Sequence, residues 1–257
     1  LTRAGVGSTL AIVTNGAFLG LNAGNDEVER IMVTAWNVGG APLSGSVNRN
    51  ATPGFAGNGI LPAYYIDATS NTFLSYNSTS GFQSVLSTAT PATNQVAYSH
   101  IFAGGVFSTN TTATSVVDIT TADMVLTQDQ TVYALRTART INNGTGQNNT
   151  ITFADGTTDA DRGGLITTGT PTIATNLKFG TNGNKEGIIY TAGNTTLTGD
   201  IYAGSITKFG GSTLIIGKDQ TAAANGTGFS GKWTVNGGAL TLNTFGASGD
   251  GGTITLN

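Results

Sequence analysis

The sequence predicts an all-β chain wound as a repetitive parallel β-solenoid, with loop excursions in its N-terminal half. Three observations predict it. Helical periodicity is close to missing, since no long window places apolar residues at i, i+3, i+4 and i+7. Short β-branched or alternating packets, punctuated by Gly, Asn and Asp, run along the chain. One such unit then recurs at a distance, and a recurring unit that cannot bury its own apolar face has to stack on its neighbours.

In chain order, strands are expected at Thr9–Val13, Arg30–Ala35, Ala63–Ile66, Ser115–Ile119, Thr131–Thr137, Asn149–Phe153 and Leu177–Phe179. The closing third adds Gly187–Tyr190, Thr195–Leu197, Ser205–Lys208, Thr213–Ile216, Lys232–Val235, Ala239–Leu242 and Thr253–Leu256. There a strand arrives about every 8 to 12 residues, the spacing of a sandwich, barrel or solenoid. The nearest helical candidate, Asn25–Met32, is short and runs into the β-branched Val33-Thr34, so it reads as a polar turn leading into a strand. Asn37–Gly59 and Ser70–Asn94 read as excursions, the second richer in strand. With no firm linker, residues 1–257 form one domain, loopier over 1–120 and regular over 121–257.

The repeat chooses the solenoid. Leu1-Thr2-Arg3-Ala4-Gly5-Val6-Gly7-Ser8-Thr9-Leu10-Ala11-Ile12 returns as Ile206-Thr207-Lys208-Phe209-Gly210-Gly211-Ser212-Thr213-Leu214-Ile215-Ile216, with one residue inserted at Val6. Val235–Leu242 and Gly251–Leu256 echo each other, each placing a Gly turn before a strand. Coils of roughly 20 to 25 residues would make about ten to twelve layers. At the inter-strand spacing that is a rod on the order of 50 to 60 Å long.

Composition narrows the function. Charged residues are only 10%, Gly numbers 38, and the net charge of −3 comes with 11 scattered Lys and Arg. A phosphate backbone or an anionic membrane finds little to grip, so nucleic-acid binding is not expected. No apolar run approaches the ~20 residues of a membrane span. Cysteine is absent, which removes disulfides and thiolate metal sites. The chain starts at Leu1 without a signal peptide, as a processed product or an internal window of a longer protein would.

Two segments carry a family likeness. Ile206–Leu214, followed by Gly228-Phe229-Ser230-Gly231-Lys232-Trp233-Thr234-Val235-Asn236-Gly237-Gly238-Ala239-Leu240, resembles the autotransporter-associated β-strand repeat of large bacterial surface proteins. The likeness is good over Asn176–Asn257. Gly59–Tyr65 and Phe73–Tyr76 more loosely resemble the segments between such repeats. The resemblance implies a right-handed parallel β-helix, secretion to the bacterial cell surface, and a stalk, adhesive or fibre-forming role. It brings no catalytic, cofactor or metal-binding residues, and no C-terminal translocator barrel lies within these residues.

Sites for chemistry are few. His100 is the sole histidine; it sits in the strand-like Ala97–Phe102 stretch, no Gly-x-Ser-x-Gly elbow exists, and it reads as a structural or surface residue. Asp155, Asp159 and Asp161 share a Gly-containing loop that could offer oxygens to calcium, but the spacing fits no known calcium loop and turn capping is the simpler reading. The same acids with Asp200 are the candidates for paired carboxylates of polysaccharide cleavage, a chemistry some parallel β-helices host. The Gly246–Gly252 run precedes a strand rather than a helix, so it reads as turn glycines. Trp36, Trp233, Tyr64, Tyr65, Tyr76 and Tyr202 are either sugar platforms or core fillers, with the core favoured. Asn50, Asn77, Asn110, Asn143, Asn148, Asn194 and Asn225 open Asn-x-Ser/Thr sequons, which mark surface turns.

The expectation is an extracellular structural or adhesive protein without catalysis. The alternative is a carbohydrate-binding or polysaccharide-cleaving β-helix with the excursions forming a lateral groove. Neither end reads as a polar cap, so end-to-end continuation is expected, by more of the chain or by another subunit, with glycans or a host surface as further partners.

Overall fold

A computed structural model describes residues 7–14, 18–19, 28–29, 35–38, 41–44, 60–77, 81–85, 96–107, 110–154, 163–221, 229 and 231–257. Every regular element among them is a β-strand. The first eight are β1 (Leu10–Ile12), β2 (Phe18–Leu19), β3 (Val28–Glu29), β4 (Ala35–Val38), β5 (Ala41–Ser44), β6 (Tyr65–Asp67), β7 (Thr72–Asn77) and β8 (Gly81–Ser84). β1 pairs parallel with β6, and β6, β7 and β8 follow antiparallel, giving a small mixed sheet. β2 pairs with β3, and β4 pairs antiparallel with β5 where the chain enters the Asn37–Gly59 excursion. The Ser70–Asn94 excursion holds β7 and β8.

From residue 100 the chain runs in circuits. β9 (His100–Phe102) and β10 (Gly105–Phe107) come first, then β11 (Val116–Ile119), β12 (Met124–Leu126) and β13 (Gln130–Val132). The next circuit is β14 (Ala134–Thr137), β15 (Ile141–Asn143) and β16 (Thr150–Phe153), followed by β17 (Gly164–Thr167), β18 (Thr172–Ile173) and β19 (Asn176–Phe179). β20 (Glu186–Thr191), β21 (Thr195–Leu197) and β22 (Ile201–Tyr202) make another. The last are β23 (Ser205–Phe209) with β24 (Thr213–Ile216), β25 (Lys232–Val235) with β26 (Ala239–Leu242), and β27 (Thr253–Leu256). Equivalent strands pair in parallel into sheets of eight (β27-β25-β23-β20-β17-β14-β11-β9), seven (β10-β12-β15-β18-β21-β24-β26) and four (β13-β16-β19-β22).

Register is continuous. His100, Val117, Leu135, Leu165, Ile189, Lys208, Val235 and Leu256 stand in one column of the eight-stranded sheet. The column's aliphatic middle meets Ile141, Ile173, Leu197 and Ile216 of the seven-stranded sheet and Ile151, Leu177 and Ile201 of the four-stranded one in a single core. Phe153 and Phe179 stack within it, ring centroids 4.8 Å apart. Period-two alternation puts these side chains on the inner face, and the parallel ladder brings like residues into contact from layer to layer.

Corners need small residues and side-chain caps. A Cβ on Gly193 would lie 1.7 Å from the Gly169 carbonyl oxygen, so only glycine lets these two turns nest. Backbone donors at corners go to side chains of the preceding circuit: Thr140 N–H to Asp123 (3.0 Å), Thr150 N–H to Asp129 (2.8 Å) and Thr213 N–H to Asn194 (3.1 Å). These side chains take up corner donors that the strand ladders leave over.

The outer face of the eight-stranded sheet is covered as well. Val116, Ala134, Ile166, Ile188 and Tyr190 pack against Ile12, Tyr65, Ile66, Phe73 and Tyr98 in a second core. Gly164 permits the approach, because a Cβ there would stand 2.6 Å from that of Ala63. Burial on both faces accounts for β20, whose six residues are all buried and whose Gly-Ile-Ile-Tyr centre does not alternate with polar residues.

Two differences from the sequence reading have physical causes. The expected strand Thr131–Thr137 is two strands, β13 and β14, because the chain turns a corner at Tyr133. Eight strands, not ten to twelve, line the longest sheet, spanning about 34 Å at the usual strand spacing. The shortfall arises because β1 and β6–β8 lie beside the circuits instead of extending them. Of the expected strand Arg30–Ala35, residues 30–34 lie outside the described part. Among the described residues no helix is long and apolar enough to cross a membrane.

Candidate functional site

His100 opens the inward column, its ring stacked on Phe102 (6.1 Å, 12°) and its Nδ1 3.0 Å from the Ser99 hydroxyl. No group of three His, Asp or Glu that could hold a metal occurs among the described residues. Asp155, Asp159 and Asp161 lie outside them, as do Asn50 and Asn225. Asp200 is buried and paired with Lys218 at 2.6 Å. Gly246, Gly249 and Gly251 take positive φ in a turn that runs into β27.

Among the aromatics, Trp233 fills the inner core, its Nε1–H donating to the Ser248 carbonyl (3.1 Å). Tyr64, Tyr65 and Tyr76 are buried in the second core. The side chain of Trp36 is outside the described part. Tyr202 is left half-buried on the four-stranded sheet, in register with Lys178 and two residues from Asp200. Burial first, and the Asp200 carboxylate second, raise its phenol above the usual tyrosine value. Asn110, Asn148 and Asn194 stand on exposed turns, Asn143 is half-buried, and Asn77 closes β7.

The polar groups with the richest geometry are structural ties that sequence reading did not single out. Lys208, fully enclosed, donates to the carbonyls of Gly210 (2.9 Å), Ser212 (2.6 Å) and Gly237 (2.5 Å). Three carbonyl oxygens favour the charged amine while burial opposes it, and burial pushes the amine down to about 8, so it is protonated at neutral pH. The cluster explains the recurring basic–x–Gly–Gly–Ser–Thr–Leu pattern at this copy: the lysine caps the corner carbonyls of its own circuit and reaches the next one. That recurrence was the available signal.

A second group lies on the outer face of the eight-stranded sheet, against the second core. Tyr98 shares a 2.7 Å hydrogen bond with the Thr72 hydroxyl, and the Arg136 guanidinium sits 5.7 Å from its ring centroid. Arg136 in turn stands 3.4 Å from the enclosed Asp118 carboxylate. Burial pushes the Tyr98 phenol up to about 12. Glu186 accepts from the Gly7 N–H (2.8 Å) and the Thr207 hydroxyl. Arg136 offsets the Asp118 charge, and the hydrogen bonds of Glu186 and Tyr98 join separate strands, an arrangement that fixes those strands in place.

The remaining unusual feature is the edge of the stack at β27, which pairs with β25 on one side and with no other strand among the described residues. Ile254 and Leu256 follow Trp233 and Val235 in inward columns, yet are 44% and 74% exposed against 1% and 5%. No family model, curated protein or solved structure matches the chain.

Proposed function

We propose that the chain is a right-handed parallel β-solenoid of the autotransporter-repeat type, acting without catalysis as a stalk, adhesive or fibre element that is secreted or held at a bacterial surface. The right hand follows the near-universal preference of parallel crossovers. Three parallel sheets visited in turn, and columns that run in register from β9 to β27, support the solenoid. The observation that carries the role is the β27 edge. Among the described residues no strand lies on its outer side, and its backbone and two exposed inward-column aliphatics are a template for one more parallel strand, from other residues of the chain or from a neighbouring copy.

Sedimentation across a range of concentrations tests this. Wild-type chain is expected to self-associate, and Ile254→Lys/Leu256→Lys to stay monomeric with an unchanged fold. A wild type that remains monomeric throughout would remove the support for end-to-end stacking by copies.

A second reading, a carbohydrate-binding surface, draws on Tyr202 beside the Asp200–Lys218 pair. Glycan-array binding that is lost in Tyr202→Ala would favour it. Polysaccharide cleavage would need a second carboxylate flanking the scissile bond; release of reducing ends from acidic or neutral polysaccharides would establish it.

A further inference from the structure

We infer that the small mixed sheet beside the stack is a lateral strap that makes its circuits open together. In a plain solenoid each circuit touches only its neighbours, so the stack frays layer by layer from an end. Here one layer is tied to six successive circuits. At β14, Arg136 covers the ring of Tyr98, whose hydroxyl bonds Thr72, and the same guanidinium reaches Asp118 of β11, where Val116 joins the shared core. At β17, Ala63 sits over Gly164. At β20, Tyr190 donates its hydroxyl to Asn71 Oδ1 (3.2 Å), and Glu186 receives the Gly7 N–H while also holding Thr207 of β23. Beyond β25, Asn236 donates to the Gly7 carbonyl (2.6 Å).

The hydrogen bonds of Asn71 and Gly7 to the circuits join residues 119 to 229 positions apart, against the 17 to 32 that separate corner partners in adjacent circuits. A circuit between β11 and β25 therefore cannot peel away alone. It must break its contact with the strap or carry the strap with it, and the strap is anchored on the other circuits. Fraying becomes a collective event. The strap would act in the same way in a stalk or in a binding module.

Hydrogen exchange of the whole chain, read by mass spectrometry, tests the inference. In the wild type, β11 to β25 are expected to exchange at a common rate. Phe73→Ala/Leu74→Ala empties the strap's own core without touching the inward columns. It is expected to speed exchange in β23–β25 at least about tenfold, with protection then falling off toward β27. Should that variant fail to fold, Tyr190→Phe/Asn236→Ala cuts two ties only, and exchange in β25 is expected to rise about threefold or more. Wild-type rates in β23–β25 when β6–β8 have lost protection would overturn the inference, as would a graded decline from β11 to β27 in the wild type.

Discussion

Asn236 donates its side-chain amide to the carbonyl of Gly7 at 2.6 Å, closing a hydrogen bond across 229 positions, and reaches the Thr9 hydroxyl at 3.1 Å. Asn257 donates to the same side chain's Oδ1 at 2.7 Å, so one residue joins the N-terminal segment, β25 and the chain beyond β27. Asn236→Ala is expected to cost about 1–3 kcal/mol in urea unfolding, the penalty for leaving partly buried partners unsatisfied. A loss below the error of the measurement would mean that water replaces the amide.

Lys208→Met keeps an unbranched side chain in the inward column and removes the donor to three carbonyls. A loss of about 2–3 kcal/mol at pH 7 is expected, because hydrogen bonds from a charged group are the stronger kind.

The same residue sets a pH dependence. Burial lowers its value in the folded chain to about 8, against 10.5 when unfolded. Between those values the unfolded chain holds a proton that the folded chain has released. Unfolding then takes up a proton, so stability rises with pH across that window. Wild type should gain on Lys208→Met between pH 8 and pH 10, and a constant difference in melting free energy would contradict this.

Gly193→Ala and Gly211→Ala form a matched pair. A Cβ at Gly193 meets the Gly169 backbone at 1.7 Å, whereas one at Gly211 meets nothing within 4 Å. Overpacking against backbone should cost the first at least about 1–3 kcal/mol. The second should be neutral or stabilise by about 0.4–1 kcal/mol through the unfolded chain.

Leu214→Ala and Leu256→Ala compare the middle of the stack with its edge. Leu214 is 0% exposed and Leu256 74%. Thermal unfolding should show a loss of about 2–5 kcal/mol for the first and a change within about 0.5 kcal/mol for the second.

The closing strands were legible because the repeated Thr-Leu packets alternate cleanly: Thr213–Ile216, Lys232–Val235, Ala239–Leu242 and Thr253–Leu256 coincide with β24 to β27. Met124–Leu126 and Ile141–Asn143 were not foreseen, since Met-Val-Leu and Ile-Asn-Asn show no apolar–polar alternation. Gly164–Thr167 was not among the expected strands, and its pairing with Ala134–Thr137 and Ile188–Thr191 places it in the eight-stranded sheet. Leu10–Ile12 repeats Leu214–Ile216 in sequence, yet β1 joins the strap and β24 the stack. Local pattern specifies a strand but not its partner, which here is chosen by contacts across more than fifty residues. For the same reason Asp200 stood in the sequence as a candidate cleavage carboxylate without its partner Lys218, which lies about one circuit further on.

Electron microscopy of the purified chain at increasing concentration bears most directly on the stack and its open edge. Rods of varying length, each built from units of about 34 Å with a 4.8 Å axial repeat, are the predicted result, together with their loss in Ile254→Lys/Leu256→Lys. Separate particles of one length at every concentration, indistinguishable between wild type and variant, would contradict it.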